Sequence, residues 1–267
     1  MYLSIQTNYS MGRQQIATLA SFTLLEAWRT RLMWLFVVAL ALVFGAAYFL
    51  QQLAITESTR VLIAFSAAAS RLAAVFVLSL YILTSLVREF NDKGLELTLS
   101  FDLRRSDYII GRLLGFLLIA FAMALLTGLP QLIFAPLSAA LQWTCSLALE
   151  LVIVAALSVF CIMTFTQLMP AASFVAGFYV LARAMGAIQL ISATPIVDGG
   201  ALSQRVIAWV IHALALILPA LDRFTQSAWL VDGAAGWPAI GACALQAIIY
   251  SALLVAAAMF DFYRRNL

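Results

Sequence analysis

Apolar residues gather along this chain in six long runs, at about 32–50, 61–87, 113–135, 144–166, 171–192 and 239–260. Each is close to the roughly 20 residues with which an α-helix crosses a bilayer core, so the pattern predicts an all-α fold with six transmembrane helices. Two further stretches look helical without having spanning length. Between Gln14 and Thr30, the apolar residues Ile16, Leu19, Phe22, Leu25 and Trp28 recur every third position among polar neighbours. That spacing predicts an N-terminal helix lying along the membrane interface; the simpler alternative is a cytoplasmic extension of the first span. Val206 to Leu218, bounded by Arg205 and Pro219, is apolar for only about 20 Å of helix. It predicts a re-entrant or interfacial helix on the outer side, before the last span. The expected organisation is an interfacial helix over 1–31 and a six-helix domain over 32–267, which carries a charged loop at 88–112 and an outer segment at 193–238. No internal repeat is evident, so an inverted-repeat secondary transporter gains no support.

Composition agrees with this pattern. Of 267 residues, 65% are hydrophobic and 10% charged, against roughly 45–50% and 25% in soluble domains, and the mean hydropathy is +1.04. Large water-soluble domains are excluded. Ten Lys and Arg residues fall on the side that holds both termini and the 88–112 loop, and four fall on the other. The positive-inside rule then predicts cytoplasmic termini, and a seventh crossing would send Arg264 and Arg265 outside. The first apolar run exceeds a signal-peptide core, so the N-terminus is expected to stay attached. A net charge of +3 with no basic stripe gives no nucleic-acid surface. Cys145, Cys161 and Cys243 lie in apolar runs, where small hydrophobes pack. The one histidine, His212, cannot chelate a metal alone, and no cofactor is expected.

The 88–112 loop concentrates the charge, with five basic and five acidic residues in 25 positions. Such balance suits a small surface docked on another protein, or else a solvated loop that obeys the positive-inside rule. Leu95, Leu97, Leu99 and Phe101 alternate with polar residues, and Ser106 is placed to cap a helix continuing into the third span. The chain's only lysine, Lys93, lacks a glycine-rich phosphate loop, so any ATP-driven work needs a separate motor.

Three patches carry a resemblance. Glu89 through Gly94-Leu95-Glu96-Leu97 to Leu99-Ser100, followed by Arg104-Arg105-Ser106-Asp107-Tyr108, resembles the loop after the second span in type-2 ATP-binding-cassette (ABC) exporter permeases. Leu218-Pro219-Ala220-Leu221-Asp222-Arg223-Phe224 is similar to a segment before their last span, and Arg264-Arg265-Asn266-Leu267 to their ending. Leu95 stands where the family has threonine, and Asp102 where it has proline. The resemblance implies a six-span subunit that forms a homodimer in the lipid bilayer. It also implies two copies of an ABC-type ATPase, which binds the ATP and Mg, and a periplasmic or accessory protein as a further partner. The ATPase-coupling residues it points to are Glu89, Asp92, Lys93, Gly94, Glu96, Arg104, Arg105 and Asp107.

Charges inside the spans are costly and so count as candidates. Glu150 in the fourth span and Arg183 in the fifth are the clearest, and Arg71 lies in the second. A hairpin turning near Pro170 would set Glu150 and Arg183 roughly 10 Å apart in depth. Three readings stand for the pair: a structural ion pair, groups lining a substrate path, and independent snorkelling. For Arg71 the expectation is snorkelling from an outer edge. Pro130 and Pro195 are expected to kink or end helices, and Gly177 and Gly186 to allow close packing. Two other function classes compete with transport. An intramembrane enzyme lacks its chemistry here: there is no His-Glu-x-x-His helix, no Ser–His dyad and no intramembrane aspartate pair. A membrane scaffold working with an ATPase, without transport, is the other alternative.

Overall fold

The computed structural model describes residues 2–54, 57–91, 105–193 and 201–264, without the side chains of 2–15, 105, 193, 201–205, 207 and 208. Among the described residues the chain is all helical. In order come α1 (Tyr2–Arg29), α2 (Leu32–Leu53), α3 (Ser58–Asn91), α4 (Arg105–Gln131), α5 (Leu137–Phe165), α6 (Leu168–Ala193), α7 (Ala201–Ile217), a 3-10 turn (Leu221–Arg223), α8 (Ala228–Val231) and α9 (Trp237–Arg264). Helices α2, α3, α4, α5, α6 and α9 are long and apolar enough to cross a membrane, and they match the six predicted spans. Their ends run further than the apolar runs. α3 has 34 residues and takes in Arg60 and Glu89, because both polar side chains find ionic partners at its ends.

The α5 helix is the centre of the bundle and packs against α3, α4, α6 and α9. Trp143, Leu147, Leu151, Val154 and Ile162 are all buried along it. α2 is peripheral: Leu32, Phe36, Leu40 and Ala47 form one buried stripe, and Trp34, Leu35, Leu42 and Phe49 are exposed as a lipid-facing helix requires. α4 ends at Gln131, one residue past Pro130, and the N–H groups of Leu132, Ile133 and Phe134 bond in tight turns to the carbonyls of Leu129, Pro130 and Gln131. The α5–α6 hairpin, by contrast, turns at Thr166, whose φ is 60°. Pro170 sits in the first turn of α6, where its missing N–H costs nothing.

The α1 helix lies across the ends of α3 and α4. Its outward face carries the exposed stripe Phe22, Leu25 and Trp28, and its inward face is small: Ala20, Thr23 and Ala27. Gly111 and Gly115, one turn apart on α4, admit this face closely. A β-carbon at Gly111 would come within 2.9 Å of Leu19 Cβ, and one at Gly115 within 2.5 Å of Thr23 Cβ. The Gly-x-x-x-Gly spacing explains why α1 docks here, since small residues let helix backbones approach. Gly115→Leu is therefore expected to lift α1, at a cost of about 1–3 kcal/mol. Limited trypsin digestion should show faster cleavage at Arg29 and Arg31 than in wild type.

Beyond α6 the chain re-enters the bundle. α7 ends beside Tyr250, whose hydroxyl donates to the Leu216 carbonyl at 3.4 Å, about 20 Å along α9 from Trp237. The segment then returns to the far end, the one opposite α1, where Asp232 pairs with Arg60 in the first turn of α3. The short helix expected over 206–218 is present as α7 (Ala201–Ile217), consistent with an interfacial placement, and residues 218–232 lead from it back to the far end.

Candidate functional site

Non-helical backbone at membrane depth is tolerated only where protein groups satisfy it. The stretch from Leu218 to Gln226 meets that demand with two arginines. Arg183 Nη1 donates to the carbonyls of Leu221 (2.5 Å) and Phe224 (2.8 Å), and its Nη2 donates to Thr225 (3.4 Å). Arg71 Nη1 donates to the same Thr225 carbonyl at 3.0 Å. Thr225 has a φ of 43°, in the left-handed region that β-branched residues avoid, so its conformation depends on these contacts. Its N–H donates to Ser146 Oγ at 3.0 Å, and its hydroxyl donates to Glu150 Oε2. One residue is thus held by α3, α5 and α6 together.

Glu150 is fully buried and balances the arginines, with its Oε1 3.8 Å from Arg183 Nη1 and accepting from Tyr179 Oη at 2.7 Å. The Asp222 carboxylate rests against Gly186, one turn beyond Arg183, bringing the cluster to two acids and two bases. A side chain at Gly186 would push the loop away, whereas Gly177 faces open space and packs against nothing. Of the three readings for Glu150 and Arg183, this geometry supports the ion pair. Arg71 does not snorkel: it is 7% exposed and turned inward, because Thr225 needs its donor. His212 is exposed on α7, and no metal-binding group of His, Cys, Asp or Glu occurs among the described residues.

A second charge cluster closes the α1 end. Arg112 of α4 donates through Nε to Glu89 Oε2 of α3 at 2.9 Å, and its Nη2 bonds the same oxygen. Its Nη1 reaches Thr23 Oγ1 and Glu26 Oε2 of α1, both at 3.0 Å. Ser85 and Arg88 of α3 both donate to the other Glu26 oxygen, at 2.9 and 2.8 Å. Arg112 and Glu89 are only 12% and 13% exposed. The two ends of the connection from α3 to α4 are therefore locked to each other and to α1.

Burial pushes the Glu26 carboxyl up, but Arg112, Ser85 and Arg88 outweigh it and leave the group below its ordinary value of 4.5. A depressed folded value means that Glu26 stabilises the α1 docking fully above the unfolded value. That contribution disappears as pH falls through the folded one. Protection factors of the α1 amides, corrected for the slower intrinsic exchange in acid, are expected to fall in wild type below about pH 4.5, the ordinary carboxyl value, and Glu26→Gln should flatten this dependence.

The sequence-predicted coupling residues divide sharply. Glu89 is held inward by Arg112, and Asp107 accepts from Ser106 Oγ at 3.2 Å in the first turn of α4. Asp92, Lys93, Gly94, Glu96 and Arg104 lie outside the described residues, as does the side chain of Arg105. Glu26, Thr225 and Asp222 were not singled out by sequence. Glu26 had a signal, being the one acidic residue before Glu57. Thr225 follows the Leu218–Phe224 patch directly, and that patch lands on the arginine pair. Comparison with protein-family models and with curated proteins finds no match. Fold and site define a polytopic all-α membrane protein with a braced loop at one end and a latched re-entrant segment at the other, an organisation consistent with a transport-related role.

Proposed function

We propose that the chain is the permease subunit of an ABC exporter, working as a homodimer in a bacterial inner membrane with cytoplasmic termini and driven by a separate ATPase. The observation that carries this reading is the Glu26–Arg112–Glu89 brace. It makes the ends of the 92–104 connection rigid with α1, α3 and α4, so a push on that connection moves three helices rather than bending a loop. α3 also carries Arg71, so the same helix reaches the Thr225 latch at the far end. In this reading nucleotide closure in the partner biases a two-state bundle, and release of the latch opens the far side. The subunit itself is not an enzyme.

The test is purification of the tagged protein in mild detergent, identification of bound proteins and an ATPase assay, comparing wild type with Glu96→Arg and Arg104→Glu. An ATP-hydrolysing subunit should co-purify, and both substitutions should weaken its binding or turnover. Recovery of no ATPase from several detergents would remove the motor from the transporter and scaffold readings alike and reopen the intramembrane-enzyme one.

A further inference from the structure

At the α1 end, the corner where α1 turns into α2 stands away from α3 and leaves a groove of about 390 Å³, within the roughly 300–1,000 Å³ of pockets that hold small ligands. Its floor is apolar, formed by Leu32 and Leu35 of α2 with Val77 and Leu80 of α3. Leu35 and Leu80 remain 65% and 48% exposed, so the floor is open to the bilayer. Its rim is polar: Thr30 stands on one side, and Arg88 with its ion-pair partner Glu26 on the other. Arg31, with φ of 57°, makes the corner, and exposed Trp28 and Trp34 flank it as aromatic residues do at a membrane interface.

The charge around the rim is unbalanced. Glu26 and Glu89 are matched by Arg88 and Arg112. Arg29 and Arg31, on either side of the lining residue Thr30 in the chain, do not line the groove themselves but add two exposed guanidinium groups beside it, with no acidic partner among the described residues. Arg88 itself uses Nη2 for Glu26 and is 59% exposed. An apolar slot opening to lipid, topped by excess positive charge at headgroup level, matches one chemistry. We infer that this groove seats an anionic glycerophospholipid, its phosphate on Arg88 and Arg31 and an acyl chain over Leu35, Val77 and Leu80. The groove shares Glu26, Ser85 and Arg88 with the α1-end charge cluster, and the inference stands whether or not an ATPase drives the protein.

Native mass spectrometry of the detergent-purified protein with equimolar phosphatidylglycerol and phosphatidylcholine tests this. One phosphatidylglycerol per chain should be retained, about tenfold over phosphatidylcholine. Leu80→Trp, which fills the slot, should abolish retention at an unchanged melting temperature, with Leu35→Trp as a second filler should the first fail to fold. Arg88→Gln should keep lipid binding but lose the headgroup preference, since Ser85 and Arg112 still hold Glu26. Equal retention of the two lipids would overturn the proposal, as would retention that survives both fillers. So would efficient disulfide cross-linking of Leu80→Cys between two copies, which would make the groove a contact between chains.

Discussion

Glu150→Ala is expected to unlatch the far end of the bundle. The substitution strands Arg183 at membrane depth, removes the acceptor of the Thr225 hydroxyl and frees Tyr179. Breaking a buried ion pair by removing one partner costs about 3–5 kcal/mol, which corresponds to at least roughly a hundredfold in the opening equilibrium of the segment it holds. Thr225 loses the restraint that keeps it in the left-handed region, so residues 218–232 should leave their seat together. A native reporter lies beneath them: Cys243 is buried, its sulfur 3.9 Å from the Arg223 carbonyl. Peptide-mapped labelling with a water-soluble maleimide should be slow at Cys243 in wild type and far faster in Glu150→Ala. Cys161, buried in α5, serves as the internal control. Glu150→Gln keeps an acceptor and should fall between the two. An unchanged Cys243 rate in Glu150→Ala would mean that the segment is held by packing alone.

Arg112→Ala should have a comparable effect at the opposite end. It leaves Glu26 and Glu89 facing each other with their shared counter-charge gone, again about 3–5 kcal/mol for a pair broken from one side. Melting temperature should fall, and α1 should become open to protease. Arg112→Lys is expected to recover only part of the loss, since an ammonium cannot fork to two carboxylates as a guanidinium does. The triple variant Glu26→Gln, Glu89→Gln, Arg112→Met should recover most of the stability, because replacing a whole buried ionic group is commonly far less costly than breaking it. A triple variant as unstable as Arg112→Ala would show that charge itself, and not its imbalance, holds α1.

The six spans were legible because a bilayer imposes one demand, a long apolar run, that nothing else in the chain imitates. α1 and the short α7 were legible from a three-residue period and from a length too short to cross. What stayed hidden depends on contacts between distant positions. Arg71 reads as a snorkelling residue until Thr225, 154 positions later, is placed beside it. The separation in depth expected for Glu150 and Arg183 came from a hairpin at Pro170; moving the turn to Thr166 and extending both side chains closes it. Glu89 reads as part of a docking surface because it opens the charged 88–112 loop, yet Arg112 turns it inward. The spacing of Gly111 and Gly115 is visible in sequence, but the small face of α1 is what gives it meaning.

The central claim is that ATP hydrolysed at the α1 end works the latch at the far end. The measurement that tests it most directly is the rate of Cys243 labelling in inside-out membrane vesicles carrying the protein and the proposed ATPase, with a membrane-permeant thiol reagent, with and without ATP. The account predicts a nucleotide-dependent change in that rate, abolished by Glu96→Arg. A rate indifferent to ATP in vesicles that hydrolyse it would contradict the account.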